Sequence, residues 1–208
     1  METIRERGLR AGDGGWILPF PTLRDEEDEA VAALRRSGEL EYREDELSVC
    51  ACADAASAGH YAFNHNRSGD RDTPILIEFE VDGGDVAVDG RDMLYTLFQR
   101  GDPDHAPAAV KSVYGPAAGR HLEAAWRTDD QLERVAICDR AVLDPAVVAH
   151  HHRNRTVVAG RHGTVFSSAF QVRLPVAPSA IRNVHAPDAP PASPPPEIWF
   201  ERLVRRSG

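Results

Sequence analysis

Leu47 to Gln99 constrains the fold of this chain more than any other segment. Leu47-Ser48-Val49-Cys50-Ala51-Cys52 reads as a strand. Ala53 to Asn66, with His60-Tyr61-Ala62 toward its end, reads as a short helix. Pro74 to Val81 then reads as a second strand, in which Ile75, Ile77, Phe79 and Val81 alternate with Leu76, Glu78 and Glu80. A period of two gives that strand one buried and one partly wet face. Such a face must be covered by another layer, so a strand–helix–strand unit this compact predicts an α+β domain.

The rest of the chain is consistent with one domain and a short appendage. Its 208 residues are enough to bury a core, and 42% of them are hydrophobic. No apolar run approaches the roughly 18 residues of a membrane span, and Met1 to Arg7 lacks the apolar core of a signal peptide. A cytoplasmic protein is the expectation. Three cysteines argue against a disulfide framework. The net charge is −9; residues 131–208 hold 10 Arg and 6 Asp+Glu, a balance of +4, which leaves −13 for residues 1–130. That acidic body, with Lys111 its sole lysine, argues against sequence-independent binding along a nucleic acid backbone. A local arginine pocket for a phosphorylated ligand survives the objection.

Local signals set the order of the elements. Thr3 to Leu9 has capping-box spacing through Thr3 and Glu6, and Asp13-Gly14-Gly15 marks a turn. A second helix runs from Thr22 to Gly38, its first turns filled by the acids from Asp25 to Glu29. Met93–Phe98 is helical, and Pro107–Trp126 is a helix interrupted at Gly115-Pro116. Arg134–Cys138 is expected to be a strand, and Asp144-Pro145 caps a helix leading to His150-His151-His152. Val157-Val158 and Phe170–Val176 return to strand, with Phe170, Val172, Leu174 and Val176 on one face and Gln171 and Arg173 on the other. Residues 1–185 thus form the domain, and Ala186–Pro196 is an extended proline-rich linker. Residues 197–208 form an amphipathic helix, with Trp199/Leu203 and Phe200/Val204 at i,i+4. A helix this short needs a surface to dock on, either its own body or a partner.

Several groupings could carry chemistry. Cys50 and Cys52 point the same way from one strand, but without a second pair they read as core thiols, and no metal is expected. The three histidines diverge by about 100° per residue, so regular helix cannot aim them at one ion. The C-terminal dipole of their helix is the simpler reason for their place. Gly160-Arg161-His162-Gly163-Thr164 could meet phosphate through backbone N–H groups and a guanidinium, although a charged β-turn is the simpler explanation. Ser167 or Ser168 with His162 and Asp139 lacks any nucleophile-elbow context. Neither a Walker loop nor a Gly-x-Gly-x-x-Gly fingerprint occurs.

The order of these pieces resembles the ADP-ribosyltransferase superfamily. Ser48 on its Leu-Ser strand and His60-Tyr61-Ala62 at the helix end are similar to the family's nicotinamide-side unit. Pro74–Val81 with Val86–Gly90 resembles the strand pair of the 2′-phosphotransferase branch, and Phe170–Val176 through Ile181–Val184 resembles the family's terminal segment. The resemblance implies a split β-sandwich with peripheral helices and a C-terminal docking helix, with NAD as substrate. It also implies ADP-ribosyl transfer to a protein or nucleic acid acceptor, or a catalytically silent binding protein on the same scaffold. Ser48 and Tyr61 would line the nicotinamide side, and His60 and Arg161 would hold phosphate or ribose. Gln171 and His162 would be the catalytic positions. Two departures from the family stand out. Gln171 occupies the position of a glutamate, and His162-Gly163-Thr164 lies at the opposite end of the chain from the family's first motif. An amide can still hydrogen-bond a ribose hydroxyl, but it offers little charge to a cationic centre.

Overall fold

In the computed structural model, the described residues are 2–12, 17–21, 47–64, 73–160, 165–192 and 194–204. The chain forms α1 (Glu2–Arg7), β1 (Ile17–Pro19), β2 (Leu47–Cys52), α2 (Ala55–Asn64), β3 (Leu76–Phe79) and β4 (Val86–Val88). A helical block follows: α3 (Arg91–Arg100), α4 (Ala106–Ala125), α5 (Gln131–Leu143) and α6 (Pro145–Arg153). Short strands β5 (Val158–Ala159) and β6 (Val165–Phe166) lead to β7 (Ala169–Arg173), β8 (Ile181–His185), β9 (Ile198–Trp199) and α7 (Phe200–Val204). The expected Asp13–Gly15 turn and Thr22–Gly38 helix lie outside the described residues.

The architecture is α+β with small, mostly antiparallel sheets. One sheet has the order β1-β2-β7-β4, a second pairs β3 with β8, and a third runs β6-β5-β9. In the first, β7 is central: Val49 faces Val172 on one side, and Val86 faces Val172 on the other. The alternation expected for this segment holds, since Phe170, Val172, Leu174 and Val176 are all buried. Val172, Leu174 and Val176 join Leu9 and Val49 in a small core, on which Ile77 and Phe79 of the second sheet pack. Phe170 instead enters the main core with Val88 and the helices. Gly8 allows α1 to end against this layer: it has φ 79°, and a Cβ there would lie 2.1 Å from the Val176 carbonyl oxygen.

The main core is helical. Leu94, Leu97 and Phe98 of α3, Val110, Tyr114 and Leu122 of α4, Cys138 and Val142 of α5, and Val147 of α6 are all at most 2% exposed. Arg134–Cys138, expected as a strand, lies inside α5. Asp130 caps that helix, accepting from the Leu132 N–H at 2.8 Å and the Glu133 N–H at 3.4 Å. The buried positions Ile137, Cys138, Ala141 and Val142 follow the helical spacing and bring one stripe to the core. Asp144 caps α6 ahead of Pro145, as expected, and its carboxylate also meets His121 of α4 at 3.0 Å.

α4 breaks at Gly115 (φ 89°, ψ 172°), just before Pro116. Proline has no N–H to return to Ser112, and the turned backbone frees the Val113 carbonyl as well. The end of α6 supplies replacements. His150 lies 3.3 Å from the Ser112 oxygen, His151 lies 3.3 Å from the Val113 oxygen, and the Asn154 amide donates to Val113 at 3.2 Å. The histidine run therefore closes the end of a broken helix.

The expected helix over residues 197–208 divides in two. Ile198–Trp199 pairs in parallel with Val158–Ala159, and among the described residues of this segment only Phe200–Val204 is helical. Phe200 is 2% exposed within the main core, and the Asp102 N–H donates to the Leu203 carbonyl at 2.8 Å. The tail docks on its own body. Among the described residues of 186–196 there is neither helix nor strand, and Pro191 crosses α2 against Gly59.

Candidate functional site

Register places the polar residues of the first sheet on one face. Ser48 pairs with Arg173, Cys50 with Gln171 and Cys52 with Ala169, while Ala87 lies opposite Gln171 on the far side. Directly opposed residues project to the same face, so Ser48, Cys50, Cys52, Arg173, Gln171 and Ala87 share it. Asp89 extends the row, with its N–H donating to the Ala169 carbonyl at 2.9 Å. Its carboxylate hydrogen-bonds the Cys50 thiol. The opposite face carries the apolar residues of the two cores.

Each polar group has a distinct environment. The Ser48 hydroxyl is fully buried and donates to the Leu18 carbonyl at 2.9 Å, fastening β1 to β2. Gln171 is 6% exposed, and its Oε1 has no hydrogen-bond partner among the described residues. A buried acceptor without a donor is costly, and a ligand hydroxyl or N–H would relieve that cost. Arg173 reaches Asp85 at 3.4 Å and lies over the Phe20 ring at 4.1 Å.

Burial, then the Asp89 carboxylate, pushes the Cys50 thiol far above its ordinary range. Burial, then Asp54 and Asp89, pushes Cys52 up to about 12. Both are therefore neutral thiols at physiological pH. Burial first, and then Cys52, Asp89 and Cys50, also raises Tyr61. Tyr61 of α2 packs against the main core.

The start of α2 closes one end of this region. Asp54 accepts from the Ser57 N–H, the Ser57 hydroxyl and the Ser167 hydroxyl, each at 2.8 Å. Burial acts to raise its pKa, but these hydrogen bonds and Arg155 outweigh it and hold the carboxyl below its usual value. This is a helix cap tied to the β6–β7 connection, and it commits Ser167 to a structural role. His60, one residue before Tyr61, lies edge-on to that ring at 6.1 Å and close to Asn64.

Of the residues singled out in the sequence, Ser48 and Gln171 thus share one sheet face, and Tyr61 packs against the main core. His60 adjoins Tyr61. Arg161 and His162 lie outside the described residues. Asp139, 1% exposed, sits in α5 among the core helices. Among the described residues no group of three or more His, Cys, Asp or Glu could hold a metal ion. Asp89 is the carboxylate on this face that the sequence hid, because Asp89-Gly90 reads as a turn. Its only signal was its position directly after Val86-Ala87-Val88.

A concavity of about 600 Å³ lies between the first half of α4 and the docked tail. Ala108, Ala109, Ile198 and Leu203 line it, with His105, Trp199 and Arg202 among its polar and aromatic groups. Trp199 is 47% exposed, and Arg202 lies 5.6 Å from its ring centre. Asp102 meets the His105 ring at 3.2 Å; the Asp104 N–H, followed by His105, holds its carboxyl below the usual range.

Comparison with protein-family models, curated proteins and solved structures returns no match to this chain. Among the described residues, no helix is long and apolar enough to cross a membrane.

Proposed function

We propose that this chain is an ADP-ribosyltransferase-type split sandwich that transfers ADP-ribose from NAD to a macromolecular acceptor, protein or nucleic acid. The observation that carries the reading is the buried Oε1 of Gln171, without a donor, on the sheet face that also holds Ser48. A ribose hydroxyl is a donor of the right kind for that oxygen. Support for the sandwich comes from the packing of Ile77 and Phe79 on Val49 and Val172 across two sheets. In this reading Ser48 and Tyr61 would line the nicotinamide side, and His60 and Arg161 would hold phosphate or ribose. His162 would be the second catalytic residue.

Titration calorimetry with NAD tests the reading directly. Binding that weakens at least tenfold in Gln171→Ala, together with release of nicotinamide by the wild-type chain, is the expected result. Absence of heat from NAD with the wild-type chain would end it. A second reading, a silent binding protein on the same scaffold, draws on the neutrality of Gln171 and the full burial of Ser48. It predicts NAD binding with no nicotinamide released.

A further inference from the structure

We infer that the concavity between α4 and the docked tail binds a small zwitterion with an apolar body, of the class of a free apolar amino acid or a dipeptide. This binding does not depend on the NAD reading above. The concavity's volume of about 600 Å³ lies within the range of small-ligand sites. Ala109, Ile198, Leu203 and the half-exposed Trp199 give it an apolar lining. Glu197 and Arg202 add one charge of each sign, and both residues are exposed.

Those two charges are open to a ligand. Among the described residues, the Glu197 carboxylate has no hydrogen bond or ion pair, and the Arg202 guanidinium meets only the Trp199 ring, 5.6 Å from its centre. The remaining charged groups of the lining are engaged with each other: Asp102 accepts from the Asp104 N–H at 2.9 Å and meets the His105 ring at 3.2 Å. A simple anion would be held by Arg202 but would also face Glu197, and a simple cation would meet the reverse. A zwitterion answers both, while its apolar part takes surface of Trp199 and Leu203 out of water. The backbone fixes these walls in advance. The Glu197 N–H donates to the Val157 carbonyl at 2.9 Å, Ile198 pairs with Val158, and the Asp102 N–H donates to the Leu203 carbonyl at 2.8 Å. A site already held by the fold loses little freedom on binding.

The test titrates L-phenylalanine and the dipeptide phenylalanyl-leucine into the full chain by calorimetry, beside their N-acetylated and C-amidated forms. At least one free compound is expected to bind, and the tighter of the two identifies the source of the ligand. Acetylation and amidation are each expected to weaken binding about tenfold. Glu197→Gln should lose about tenfold toward the free compound but bind the acetylated form within about twofold of wild type; Arg202→Gln should do the same with the amidated form. The indole N–H resonance of Trp199, assigned by its loss in Trp199→Phe, should shift during the titration. No binding of either free compound would overturn the proposal. So would blocked forms that bind wild type as tightly as the free ones, a result that needs no variant to fold. Free compounds that bind both charge variants as tightly as wild type would overturn it too.

Discussion

The backbone N–H of Ala169 donates to Nε2 of His151 at 3.1 Å, so one imidazole ties the central strand to the helical block. Because that nitrogen accepts, the ring proton sits on Nδ1 and points to the Val113 carbonyl, 3.3 Å away. The ring is fully buried, stacked on Tyr114 at 4.9 Å and edge-on to Phe170 at 5.1 Å. A neutral imidazole satisfies both backbone groups; an imidazolium would turn a donor against the Ala169 N–H.

Stability should therefore depend on pH through this residue. Burial, reinforced by the neighbouring His150 and His152, lowers the His151 pKa from 6.5 to about 4. The unfolded chain takes up this proton first. The contribution is thus complete above pH 6.5 and is lost as pH falls toward 4, with a slope approaching about 1.4 kcal/mol per pH unit. Asp54 and Asp144, whose folded pKa values lie below 3.8, add their losses only at lower pH. His151→Phe should cost about 2–3 kcal/mol at pH 7 by orphaning the Ala169 N–H, and should remove that slope. Urea midpoints between pH 4.5 and 7 check both; parallel curves for the two proteins would contradict the assignment.

The tail should hold the main core through one side chain. Phe200 is 2% exposed and Trp199 is 47% exposed, although they are adjacent. Phe200→Ala is expected to cost about 3–5 kcal/mol, and Trp199→Ala less than about 1 kcal/mol. Denaturant unfolding of the two variants measures the difference. Equal losses would mean that the tail is held by its surface and not by its anchor.

The paired thiols should be nearly inert in the folded protein. A rise from 9.0 to about 12 in Cys52 reduces its thiolate about a thousandfold, and Cys50 is raised further still. Iodoacetamide at pH 8, followed by mass spectrometry, should label both residues readily in urea and about a thousandfold more slowly in the native state. Native labelling within tenfold of the unfolded rate would rule out the closed environment described for this face.

Signals confined to a few neighbouring residues predicted structure well. Asp144-Pro145 opened a helix, Gly115-Pro116 broke one, and the alternation through Phe170 and Val176 gave the buried face of the central strand. The expectation of a strand at Arg134–Cys138 failed because a short apolar run has no length over which period two and period 3.6 separate. The deciding signal was nearby: Asp130 and Glu133 stand at capping-box spacing. The role of the histidine run could not be read locally, since its partners Ser112 and Val113 are 38 residues away. The same holds for Asp89, whose place beside Gln171 depends on β4 and β7 becoming neighbours. Chain order alone says little about which strands adjoin.

The parallel pairing of Ile198–Trp199 with Val158–Ala159, and the anchoring of Phe200 beyond it, have a consequence for synthesis. The helices that surround Phe200 emerge from the ribosome well before Phe200 itself does. Until residue 204 has cleared the exit tunnel, the nascent polypeptide carries an open apolar slot, a natural place for a chaperone to hold. Translation speed through the prolines of residues 186–196 would then set how long that slot stays unfilled.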